Sequence, residues 1–168
     1  MMTPRELARI YDTYSQRLYA YIVTLVQDRA DARDLLQDLF VKIARTEGCL
    51  DEVRDEKAFL FRVAHNLSVD FIRRSQSRRR RQQAVAEAQP TQLIPEDPDA
   101  IGFAESVSTA LAQLPEDQRA AVHLKLWSGL TFGEIAQILD IPPNTAASRY
   151  RYGIDKLREA LRPIYDEL

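Results

Sequence analysis

The stretch Leu130-Thr131-Phe132-Gly133-Glu134-Ile135-Ala136-Gln137-Ile138-Leu139-Asp140-Ile141-Pro142-Pro143-Asn144-Thr145-Ala146-Ala147-Ser148-Arg149-Tyr150-Arg151-Tyr152 decides the architecture. Thr131 followed three residues on by Glu134 is a capping box, a pairing that satisfies orphan backbone N–H groups at a helix start. Ile135, Ala136, Ile138 and Leu139 form the apolar face of a short helix. Asp140-Ile141-Pro142-Pro143 ends it, and a longer helix is expected from Asn144-Thr145 to about Leu161. Two helices joined by a three- to four-residue turn make a helix-turn-helix. Small Ala136 stands where the first helix would cross closely over the second. Arg149, Tyr150, Arg151 and Tyr152 crowd the second helix with groups that bond phosphates and base edges. On this segment alone, a plain helical hairpin with a solvated charged face is the alternative.

Working outward, the upstream segment also reads as helix. Glu116 to Trp127 forms one, with Glu116 and Asp117 suited to its positive N-terminal end. Leu114-Pro115 separates it from another over Ala104 to Gln113. Further back, Leu7, Ile10, Tyr11, Tyr14, Leu18, Tyr21, Ile22 and Leu25 recur at three- and four-residue steps. They predict a helix over 4–27, with Pro4 in its first turn and Thr3 as its cap. Asp28 to Asp31 reads as a break. A second helix is expected from about Ala32 to Arg45, then a loop over Gly48 to Asp55. A third runs from about Glu56 to Arg80. No internal repeat is visible.

The chain has 168 residues, 45% of them hydrophobic and 29% charged, with only 5 glycines. That is a globular composition rich in helix formers. No apolar run is long enough to cross a bilayer. The N-terminus lacks an apolar signal core, so a cytoplasmic protein is expected. A single cysteine, Cys49, excludes an internal disulfide and a cysteine-based zinc site.

The net charge of −2 hides a strong segregation. Residues 1–81 carry a net +4, residues 82–118 a net −7, and residues 119–168 a net +1. Arg73, Arg74 and Arg78 to Arg81 place six guanidiniums within nine residues. Guanidinium suits bidentate phosphate contact. Pro90, Pro95 and Pro98 with Glu96, Asp97 and Asp99 make residues 82–104 read as an acidic, flexible linker. The expected organisation is therefore all-α, with two small helical domains over 1–81 and 105–168 joined by the linker 82–104.

The segment Phe59 to Arg74 mixes aromatics with cations and amides, which is what a single-stranded nucleic-acid surface needs. Apolar periodicity alone would place Phe59 and Phe71 in a core. His65 and His123 lie outside any metal-ligand spacing. Cys49 has no neighbouring base. No phosphate-binding glycine loop and no catalytic triad appears. No cofactor, metal or catalytic residue is expected, and an enzyme has little support.

At this point the chain resembles the extracytoplasmic-function (ECF) group of the sigma-70 family over nearly its whole length. Four blocks carry the resemblance: Tyr11-Asp12-x-Tyr14-x-x-x-Leu18-Tyr19, Asp31-Ala32-x-Asp34-Leu35-Leu36-Gln37-Asp38-Leu39-Phe40, the Phe59 to Asp70 segment, and Leu114-Pro115-x-x-x-Arg119 with Gly129 to Ala136 and Ser148-Arg149. The resemblance implies a transcription initiation factor. It would bind the largest subunits of core RNA polymerase through Asp34, Leu35, Gln37, Asp38 and Phe40. Phe59, Phe61, Arg62, His65, Asn66, Asp70, Arg73 and Arg74 would read and melt the minus-ten element of promoter DNA. Thr131, Asn144, Ala147, Ser148, Arg149, Arg151 and Tyr152 would serve the minus-thirty-five element. It also implies a monomer when free and an anti-sigma partner. Four departures bear on this. Asp140 stands where many relatives have Gly in the turn, Ala147 where many have a basic residue and His65 where Arg is frequent, and Tyr152-Gly153 replaces a frequent Arg-Ala pair; the changes at Ala147 and Tyr152-Gly153 imply an altered DNA preference. A stand-alone helix-turn-helix regulator is the competing reading.

Overall fold

The computed structural model describes residues 2–82 and 98–165. All regular structure among them is helical: α1 (Pro4–Val26), α2 (Arg29–Arg45), α3 (Glu56–Gln82), α4 (Pro98–Gln113), α5 (Glu116–Leu126), α6 (Phe132–Leu139) and α7 (Pro143–Tyr165). Residues 83–97, most of the expected acidic linker, lie outside the described residues.

Local chemistry explains the boundaries. Thr3 accepts from the Glu6 N–H at 3.2 Å while Glu6 returns a bond to the Thr3 N–H at 2.9 Å, a complete capping box. The break after α1 is shorter than the expected four residues. Gln27 takes a left-handed conformation at φ 61°, and Asp28 caps α2 at once by accepting from the Asp31 N–H at 2.9 Å. Asp55 caps α3 through the Ala58 N–H at 3.1 Å. Helix α4 starts at Pro98 rather than at the expected Ala104, with proline at the first helical position, where its missing N–H costs no bond.

Helices α1, α2 and α3 pack around Ile10, Leu18, Tyr21, Ile22, Leu39, Ile43, Leu60 and Phe61. Helices α4, α5 and α7 enclose Ala110, Leu111, Leu114, Val122, Leu157 and Leu161. Arg119 is buried at the α4–α5 corner and donates to the Ala112 carbonyl at 3.4 Å.

These two groups share a joint. Ala120 and Leu124 of α5, and Ile135, Ala136 and Ile138 of α6, belong to the same continuous apolar cluster as α1 and α3. The Tyr21 ring meets Phe61 at 5.6 Å, and on its other contacts His123 at 5.4 Å. The Tyr21 hydroxyl and His65 Nδ1 are hydrogen-bonded at 2.8 Å. Across the joint, the Lys57 ammonium donates to the Ser128 carbonyl. Asp55, capping α3, faces Glu134, which completes the cap of α6, and this neighbour first, then the Ala58 N–H, holds the Asp55 carboxyl below its usual range.

Candidate nucleic-acid interface

The helix-turn-helix is built by α6 and α7. The Thr131 hydroxyl accepts from the Glu134 N–H at 3.2 Å, and Glu134 accepts from the Thr131 N–H at 3.1 Å. Asp140 ends α6 in the left-handed region at φ 56° and ψ 52°, a conformation that Asp tolerates better than most residues. Ala136 and Ala146 are buried between the two helices, as close helix crossing requires.

Behind them, α7 packs on α5 through Gly153. A Cβ there would lie 2.5 Å from Val122 Cγ2, so only glycine admits this approach. The approach turns the opposite side of α7 outward. Asn144, Arg151 and Tyr152 are exposed, with Ala147, Ser148 and Arg149 half-buried beside them. The Arg151 guanidinium lies 5.7 Å from the Tyr152 ring centre. Arg149 forms an ion pair with Asp117 of α5 at 3.3 Å, so it is already engaged within the protein. Thr131 is exposed, but its hydroxyl is committed to the cap.

On α3, Arg62, Asn66, Asp70, Arg73 and Arg74 are all exposed. Their spacing of three and four residues puts them along one stripe. Phe59 and His65 are half-buried at its edge. Phe61, named with them from the sequence, is fully buried against Tyr21 and cannot touch a base in this arrangement. The pattern of the Phe59 to Phe71 segment does not distinguish it from its neighbours, because aromatics occupy both the core and the outer face. His65 is held close to neutral by burial, which lowers its pKa to about 4.

On α2, Asp34, Gln37 and Asp38 are exposed on one side. Leu35 and Phe40 instead face inward, at 7% and 8% exposure, so they support this face more than they present it. The apolar groups at the surface are Tyr11, read from the sequence as part of the α1 stripe, and Val41, which the sequence pattern did not mark out. Tyr11 packs on Phe40 at 5.0 Å between ring centres. With Leu7, Leu36 and Ala44 they line a groove of about 480 Å³ between α1 and α2, with Arg33 and Gln37 at its rim. Val41 follows the apolar stripe of α2 without belonging to it, and that misfit is the signal that could have found it.

The described residues hold no cluster of His, Cys, Asp and Glu able to bind a metal ion. Nor does any described helix have the length and apolarity to cross a membrane.

A helix-turn-helix with an outward polar helix, preceded by a helical bundle bearing a basic, amide-containing stripe, defines a modular DNA-binding protein. Residues 10–79 match Sigma-70 region 2 and residues 104–157 match Sigma-70, region 4, and the chain belongs to the sigma-70 family. Its relatives include the ECF RNA polymerase sigma factor SigX of Bacillus subtilis, 26% identical over 166 residues, covering 95% of this chain and 85% of that protein. The ECF RNA polymerase sigma factor SigL of Mycobacterium tuberculosis is 29% identical over 156 residues, covering 92% and 88%. A solved structure of the sigma factor RpoE from Bartonella quintana, in complex with the anti-sigma factor NepR, shares the fold at a TM-score of 0.83. Its identity is 22%, and the match covers 94% of this chain and 98% of that one.

Proposed function

We propose that this chain is an ECF-type sigma factor that works in the cytoplasm as a binding module and not as an enzyme. It binds core RNA polymerase, directs it to particular promoters and helps melt the minus-ten region. The observation that carries the reading is the pairing of two different exposed surfaces in chain order. One is the Arg62-Asn66-Asp70-Arg73-Arg74 stripe of α3, and the other is the Asn144-Arg151-Tyr152 face of α7.

Each surface has a distinct task. Arg62 and Asn66 flank the place where a promoter base leaves its stack. Unstacking costs a few kcal/mol, and contacts to the extruded base offset it, so binding energy opens DNA without a nucleotide fuel. Arg73 and Arg74 hold backbone phosphates, and Arg78 to Arg81 extend that charge in sequence. Asn144, Ser148, Arg151 and Tyr152 face the major groove of the upstream element, where amides and guanidiniums read base edges bidentately. Ala147 offers a methyl group only. Asp34, Gln37 and Asp38 meet the largest polymerase subunits, with Leu35 and Phe40 setting the helix from beneath.

The domains proposed are 1–81 for core and minus-ten binding and 105–168 for minus-thirty-five binding, with 82–104 between them. The solved relative RpoE was captured with an anti-sigma factor, and we extend such a partner to this chain. Core polymerase immobilised on a resin tests the main reading. Retention of the full chain is expected, and retention should fall when Asp34 and Asp38 are both replaced by Ala. A stand-alone regulator would pass through unretained and bind duplex promoter DNA unaided.

A further inference from the structure

Elements centred at minus ten and minus thirty-five are ~25 base pairs apart, which is ~85 Å along B-DNA at ~3.4 Å per base pair. A compact chain of this length has a radius of gyration of ~15 Å, hence a diameter of only ~40 Å. The packed arrangement of α1–α3 against α4–α7 cannot serve both elements at once. Loading on a promoter therefore requires the joint to open.

His123 of α5 is the group in that joint whose chemistry the proposed function leaves unused. It is 2% exposed, stacked on Trp127 at 5.5 Å and 22°, and against Tyr21 of α1 at 5.4 Å. Its Nδ1 is buried without a hydrogen-bond partner. None of the charged groups around the joint is bonded to that nitrogen. Tyr21 is a neutral phenol bonded to His65 of α3. Lys57 of α3 is a cation spent on the Ser128 carbonyl. Asp55 of α3 and Glu134 of α6 are a pair of acidic groups that face each other across the joint. The charge of Glu116, at the start of α5, is felt at Tyr21. Burial alone governs the basicity of His123. A proton on its ring would put an imidazolium into an apolar seam, and an unpaired buried charge is costly.

We infer that His123 is a proton-operated latch: the closed arrangement needs its ring neutral, and protonation releases α4–α7 from α1 and α3. The consequence for promoter reading rests on the function proposed above; the opening itself does not.

The pH window follows from the direction of the shift. Burial lowers His123 from 6.5 to about 3, so the closed state is fully favoured above pH 6.5 and loses stability progressively as pH falls towards 3. From pH 7.5 to 5.5, one such proton moves the closed-to-open ratio about tenfold. His65, lowered to about 4 by burial, is bonded to Tyr21 within the α1–α3 group, and parting that group from α4–α7 does not require this bond to break. Asp55, already below its ordinary value of 3.8, takes up its proton only at lower pH and stays out of this window.

Small-angle X-ray scattering of the full chain at pH 7.5 and 5.5, with far-ultraviolet circular dichroism on the same samples, tests the latch. The radius of gyration should rise at pH 5.5 with helicity unchanged, while His123→Phe keeps the ring stack and stays compact at both values. Should that variant fail to fold, His123→Gln serves the same purpose. Unchanged dimensions, an open chain already at pH 7.5, equal expansion in the variants, or loss of helix together with expansion would each overturn the proposal. The assay contains neither polymerase nor DNA, so its failure leaves the sigma-factor reading to its own test.

Discussion

Gly153 governs how closely the recognition helix lies on its support. Val122 Cγ2 stands 2.5 Å from where a Cβ would be, so Gly153→Ala forces α7 off α5. Overpacking of this kind costs about 1–3 kcal/mol, and a lower thermal midpoint with weakened minus-thirty-five binding is expected. Asp140 is the opposite case. Its left-handed backbone at φ 56° is one that glycine adopts freely, so Asp140→Gly should raise stability by about 0.5–1 kcal/mol in a denaturant titration. Both positions were visible in the sequence as departures from a family pattern. For Asp140 the strained turn could be read directly, because proline and aspartate there leave few backbone options. For Gly153 the sequence suggested only an altered DNA preference. The reason it is glycine, contact with a residue 31 positions away, is a tertiary fact that no local pattern carries. Phe61 fails in the same way: its burial depends on Tyr21 of another helix.

Among the elements, capping chemistry did most to make helices legible. The cap at Thr3 and the box at Thr131 fixed the starts of α1 and α6 because Ser, Thr, Asp and Glu side chains answer a local need of the backbone. Thr131→Ala should therefore cost about 1 kcal/mol, read from thermal unfolding, even though the residue is exposed. The start of α2 was harder to read, since Asp28 caps it directly after a left-handed Gln27 and no longer turn intervenes. On α3 the mixture of aromatics, cations and amides was legible, and its division into an exposed polar stripe and buried aromatics needed the neighbouring helices. Arg151→Ala on α7 should weaken promoter binding by about 1–3 kcal/mol if the side chain reaches a base edge. Measurement on promoter and scrambled duplexes separates that outcome from a phosphate contact, which would weaken both equally.

For the molecule as a whole, the chain order of the two helical groups was legible, and their contact was not. Charge segregation and proline spacing pointed to two helical groups with an acidic linker between them and left their relative placement open. The structure joins them through Tyr21, His123, Lys57 and Ser128, residues whose significance appears only when α1, α3 and α5 are brought together. Proteolytic cleavage near Pro95 should accordingly leave two helical fragments that co-migrate at neutral pH in gel filtration, not two that separate. The central claim concerns the complete assembly: one group grips polymerase and unstacks a base, and the other anchors upstream. In vitro transcription from a genomic template library, using core polymerase with and without this chain, addresses it most directly. Transcripts with defined start points that appear only when the chain is added are predicted. Identical transcripts in both reactions would contradict the account.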